Sequence, residues 1–240
     1  MDNYFALVEK DYKKDEIFDV LLNPVVEDFE KIFAIINING SLSKSEFKTL
    51  INLLSNHPTP LREMTALKIE EIASFNEENL LDDFSISKIL DGIIDINPNI
   101  SRAVCNIISE NLELKRVLGD KIIEKINFLV DEIKQYEKEN KDFFDSHVRN
   151  TKNHAKNKKL FALYWLLEAL SICASEKNRQ KILKIITYTI NFKDYTIREK
   201  TAKILHFIQN PPIDLVNKIK DDVNFYVKNQ VYDKIEDEID

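Results

Sequence analysis

The sequence predicts an all-α chain built from helix pairs stacked on one another, and three observations carry that prediction. Three glycines in 240 residues leave few of the special turns that sheets require, while Ile, Leu, Lys, Glu and Asn dominate the composition. Apolar residues spaced by three, four and seven recur in four windows on both sides of a break, the signature of two amphipathic helices joined by a short turn. Each window carries a helix-capping or turn residue at the break: Pro58, Asn97, Asp194 and Asn224.

The windows align without gaps when Leu61, Ile100 and Val227 are superposed on Ile197 as position zero. Five residues on stand Ala66, Cys105, Ala202 and, as a departure, Tyr232; eight on stand Ile69, Ile108, Leu205 and Ile235. Upstream, at fourteen, eleven and seven before zero, come Phe47, Leu50 and Leu54; Ile86, Ile89 and Ile93; Leu183, Ile186 and Ile190; and Ile213, Val216 and the exception Lys220. A pair that buries its face only by stacking on its neighbours is what a repeat of this size means physically.

Taken in order, residues 1–40 read as an N-terminal helical cap, with Asn23-Pro24 as punctuation and Phe29, Ile32, Phe33 and Ile36 at helical spacing. Ser43 with Glu46 is a capping box that opens repeat one, residues 43–80, which turns at His57-Pro58-Thr59-Pro60. Repeat two covers 84–118 and is closed by Gly119; repeat three covers 120–175, with an insertion near 137–156 where the period fails. Repeat four covers 177–210, and 213–240 is a charged C-terminal capping repeat ending in an acidic tail. All of this reads as one domain.

The turn-and-helix pattern Asp194-x-x-Ile197-Arg198-x-x-x-Ala202-x-x-Leu205 resembles the HEAT repeat family, and Leu61-Arg62 keeps its hydrophobic-Arg step. That resemblance, covering roughly residues 45–239, implies a right-handed α-solenoid of about five HEAT-like helix pairs with an N-terminal helical cap. It implies a concave face lined by the second helices. With the buried stripe of each second helix at zero, four, five and eight, positions three, six and ten point the other way. They are Met64, Leu67 and Glu71 in repeat one, Ala103, Asn106 and Glu110 in repeat two, and Lys200, Lys203 and Phe207 in repeat four. With Asn157 as zero, the middle repeat contributes Leu160, Leu163 and Leu167, with Tyr164 nearby.

A helix apolar on all sides is buried on all sides, so either a partner or the insertion covers these leucines, the latter through Phe143, Phe144 and Val148. The insertion also reverses the local charge: His147 to Lys159 holds Arg149, Lys152, Lys156, Lys158 and Lys159 and no acid. Its bland reading is a solvated extension; its functional reading is an accessory contact for an acidic partner. His147 and His154 could share a helix face, but Asp142 and Asp145 complete a poor set for zinc, and no metal or cofactor is expected.

A net charge of −7 disfavours a surface devoted to nucleic acid. The apolar run from Leu160 to Ala174 is interrupted by Glu168 and falls short of the ~20 residues that span a bilayer, and Met1-Asp2-Asn3-Tyr4 does not open an export signal. A cytoplasmic chain without membrane contact is the expectation, with Cys105 and Cys173 as packed thiols. No phosphate-binding glycine loop, nucleophile elbow or zinc-ligand spacing is present. The reading that follows is a non-enzymatic scaffold whose concave face binds a protein or peptide, an acidic one among the candidates, with self-association open. The alternative is a DNA-binding or DNA-repair protein similar to the HEAT-like glycosylases of alkylated bases. Those resemble basic, aromatic clefts, whereas Trp165 is the sole tryptophan here and falls on the predicted buried side.

Overall fold

The computed structural model describes residues 12–139 and 151–236, and among these every regular element is helical. The chain divides into two compact units, Met1–Leu114 and Lys115–Asp240.

In the first unit, α1 (Lys14–Leu22) pairs with α2 (Asp28–Ile36), α3 (Lys44–Asn52) with α4 (Thr59–Ile72), and α6 (Asp83–Ile93) with α7 (Pro98–Glu110); α5 (Glu77–Leu80) is a single turn between the second and third pairs. First helices pack on first helices, α1 on α3 and α3 on α6, and second on second, α2 on α4 and α4 on α7. The predicted cap is thus a further pair stacked in the same two layers. Helix starts are set locally. The Ser43 hydroxyl accepts from the Glu46 amide while Glu46 accepts from the Ser43 amide, and Asn97 Oδ1 accepts from the Asn99 amide at 2.9 Å. Between pairs, buried Asn76 replaces water for the loop before α3: its Oδ1 accepts from the Leu42 amide at 2.8 Å, and its Nδ2 donates to the carbonyls of Gly40 and Ile72.

In the second unit, α8 (Leu112–Glu139) enters from the first, followed by α9 (Thr151–Cys173), α10 (Arg179–Thr189), α11 (Tyr195–His206), α12 (Ile213–Lys220) and α13 (Phe225–Glu236). Second helices again form a layer, α9 on α11 and α11 on α13, with hairpin contacts of α10 with α11 and α12 with α13. The Thr189 and Thr201 hydroxyls meet at 2.9 Å inside the α10–α11 pair, each also within reach of the carbonyl four residues back.

The repeat register holds at its centre. Leu61, Ile100, Ile197 and Val227 are all without exposed surface, and Ala66, Cys105, Ala202, Ile69, Ile108 and Leu205 are buried. Three features differ from the sequence reading. Gly119 does not end a repeat, because α8 runs through it; a Cβ there would lie 3.2 Å from Asn178 Nδ2, so the glycine serves close packing. The second helix of the middle repeat is helical from Thr151 rather than from near Asn157, so residues 137–139 and 151–156 of the insertion belong to the two flanking helices. In the last repeat Ile213 is exposed and Leu215 and Ile219 are buried, so α12 is offset by one residue from the gap-free alignment, and Lys220 ceases to be an anomaly. His147, Arg149, Phe143, Phe144, Val148, Asp142, Asp145 and the acidic tail from 237 lie outside the described residues, as do the side chains of Lys152, Tyr232 and Ile235.

One motif joins successive repeats in both units. Arg62 donates through Nε and Nη2 to Asp95, at 2.9 and 3.0 Å, and Arg198 does the same to Asp222, at 2.6 and 3.1 Å. Each arginine also donates to turn carbonyls, Arg62 to His57 and Arg198 to Phe192 and Lys193. Each aspartate also accepts from the backbone amide of the asparagine two residues on, Asn97 or Asn224. The planar guanidinium fork suits this bidentate role. Arg198 is therefore a repeat-to-repeat brace.

Candidate functional site

The second-helix face of the second unit gathers the most chemistry. Lys200, Lys203 and Phe207 fall three and four residues apart on and just beyond α11, so they form one stripe. The Asp194 side chain fixes the start of that helix by accepting from the Thr196 amide at 2.9 Å, and the Arg198 brace fixes its rotation. Facing the stripe on α9 is Glu168, whose Oε1 accepts from Lys203 Nζ at 2.6 Å and whose Oε2 lies 2.7 Å from Lys200 Nζ. The second contact is an ion pair not aligned as a hydrogen bond. Lys200 also stands over the Tyr164 ring, 4.7 Å from its centroid. The indole of Trp165, buried as expected, meets Tyr164 and Phe161 edge-on.

Two cations thus converge on one carboxylate. Burial pushes the Glu168 carboxyl up, but the two ammonium groups outweigh it and hold it below the usual range. Burial likewise works to lower Lys200, and Glu168 with Tyr164 outweighs it, so Lys200 is raised. Glu168 and Lys200 are therefore held in their charged forms, and Lys203 brings a second basic side chain to the one carboxylate. Lys203 keeps part of its surface open, and Phe207 is 53% exposed.

Glu168 was visible in the sequence only as an acid interrupting an apolar run. The usable signal was its pairing with two lysines three apart on the next second helix. Leu163 and Leu167 are without exposed surface, and the accessible stripe of α9 runs one residue later, through Phe161, Tyr164 and Glu168. A one-residue shift turns a helix by 100°, enough to exchange the two faces. Leu160 is half-buried. Of the basic run, Lys156 pairs with Glu137 and Lys159 with Glu132 of α8, so these cations brace the two helix extensions; Lys158 is exposed.

In the first unit, Met64 is half-buried and Leu67 exposed on α4, beside a polar lattice in which Glu63 accepts from Asn97 and Asn99, and Glu70 from Asn106. Cys105 and Cys173 are buried free thiols, and burial pushes Cys173 up to about 12. Among the described residues no cluster of His, Cys, Asp and Glu could hold a metal ion, and no helix is long and apolar enough to cross a membrane.

No protein-family model and no curated protein matches the chain. In fold it is similar to a computationally designed armadillo repeat protein for modular peptide recognition, with 11% identity over 93% of this chain and 99% of that one and a TM-score of 0.52. It is also similar to a designed armadillo repeat protein in complex with the peptide (KR)4, with 11% identity over 94% and 99% and a TM-score of 0.50. Helix content, two-layer stacking and this likeness together make the chain an armadillo-like all-α repeat solenoid.

Proposed function

We propose that the chain is a non-enzymatic scaffold of HEAT-like helix pairs that binds an acidic peptide segment on the second-helix face of residues 115–240. The observation that carries this is the uneven charge at Glu168, where one carboxylate serves both Lys200 and Lys203. Lys203 has three donors and spends one on Glu168, so a partner carboxylate can take another. Exposed Phe207 and the half-buried Tyr164 supply aromatic anchors beside that charge, the residue type that dominates peptide and protein contacts. A designed armadillo repeat protein of similar fold is in complex with the basic peptide (KR)4, which supports peptide binding by such a scaffold; the acidic preference rests on the lysines of this chain. The two-helix unit supports the HEAT-like form of the fold.

Selection from a random peptide display library against the intact chain tests the reading. Enriched peptides should carry Asp or Glu next to an apolar residue and should be lost when the library is offered to Lys203→Glu/Phe207→Ala. Enrichment of basic sequences, or retention by the double variant, would refute it.

A further inference from the structure

The first unit contains an open cleft of about 880 Å³ whose walls include Leu21 and Leu22 of α1, Lys31 of α2, Lys48 of α3, His57 of the α3–α4 loop and Phe84 of α6. That volume is in the range of small-molecule sites. Lys31 is its anomaly. The residue is only 7% exposed, and no hydrogen bond or ion pair reaches its ammonium group among the described residues. The nitrogen is nevertheless not sealed in the core, so it opens into the cleft whose wall it forms. A lysine with a buried stem and a free head is ordinary on an open surface. Here the neighbours are also cationic.

Lys48 stands 4.9 Å from the centroid of the Phe84 ring, and Lys88, which donates to the Ser55 hydroxyl, stands 5.4 Å from it. Among the described residues Asp28 is the single carboxylate in the wall. The cleft is therefore positive in a chain of net charge −7. His57 registers the same field: burial first, then Lys31, with Lys88 and Arg62, hold it below the ordinary histidine range against the opposing pull of Asp28. A neutral imidazole there adds a hydrogen-bond donor without adding charge.

We propose that this cleft binds a small organic anion, a phosphate or carboxylate head on an apolar body, with Lys31 and Lys48 holding the head and Leu21, Leu22 and Phe84 covering the body. An unpartnered ammonium group kept at this depth is stabilised by an incoming anion far more than a solvated one would be. The apolar wall then selects against a bare inorganic ion, because the ion leaves that surface wet. The site is independent of the peptide face and survives if that reading fails.

Isothermal titration of the full chain with phenyl phosphate, benzoate, inorganic phosphate and phenol tests it. Phenyl phosphate or benzoate should saturate one site about tenfold more tightly than inorganic phosphate or phenol, and the order of the first two identifies the preferred head. Lys31→Met and the exposed Lys48→Met should each weaken that binding about tenfold, and Lys48 is free enough of core contacts to keep the fold. The proposal is overturned if neither organic anion saturates below about 10 mM, if inorganic phosphate binds as tightly as phenyl phosphate, or if both lysine variants bind like the unchanged chain.

Discussion

Replacing Arg198 by methionine removes four donated hydrogen bonds at once, two to Asp222 and one each to the carbonyls of Phe192 and Lys193. Asp222 would keep the Asn224 amide as a partner. The two side chains are 12% and 9% exposed, so the pair sits between a surface ion pair, worth about 0–1 kcal/mol, and a buried one whose breakage costs about 3–5 kcal/mol. With two turn carbonyls also losing their donor, Arg198→Met should cost about 2–4 kcal/mol. Urea unfolding of Arg198→Met, Asp222→Leu and the double variant measures the coupling. The double variant should be less destabilised than the sum of the singles by about 1–3 kcal/mol. A cost below about 1 kcal/mol for Arg198→Met, or strict additivity, would refute the idea that this residue braces adjacent repeats.

Other consequences are equally concrete. Asn76→Leu takes the side-chain partner from the buried Leu42 amide and a donor from each of the Gly40 and Ile72 carbonyls, so it should cost about 2–4 kcal/mol in thermal or urea unfolding. Gly92→Ala gains helix propensity of about 1 kcal/mol, yet its Cβ would lie 2.8 Å from Val104 Cγ2; net destabilisation of about 1–2 kcal/mol is expected, and a stabilised variant would show that α6 and α7 have room between them. Stability should also fall in acid. Asp222 is held low, by Arg198 first, and Glu168 is held low by its lysines against burial, so both folded values lie beneath the unfolded ones near ~3.9 and ~4.3. Their contribution is complete above the unfolded values and is lost as pH falls through the folded ones. Unfolding midpoints should therefore drop below about pH 4, and Glu168→Gln should flatten that drop.

What could be read in advance follows from where the helical period has a phase. Leu61, Ile100, Ile197 and Val227 were legible because polar residues surround them, so an apolar stripe has edges. The helix α9 has no such edges between Leu160 and Leu167, so its phase is not legible there, and Leu163 and Leu167, read as covered by the insertion or by a partner, are fully buried within the chain. Gly119 misled because a glycine that ends a helix and one that admits a neighbour look alike in sequence. Glu168 and Lys31 depend on distances across helices, which no single-helix pattern contains. The members Lys200, Lys203 and Phe207 were reachable because they obey the spacing of the repeat itself, whereas Tyr164 entered only as a neighbour of the leucines.

Under the proposed function, Lys203 on the second-helix face contacts an acidic group of a bound peptide. A charge swap measures it most directly, by fluorescence polarisation of one display-selected peptide and its Glu-to-Lys partner against the unchanged chain and Lys203→Glu. Each single reversal should weaken binding about tenfold or more, and the two together should restore it. Equal binding in all four combinations, or no recovery in the double reversal, would contradict it.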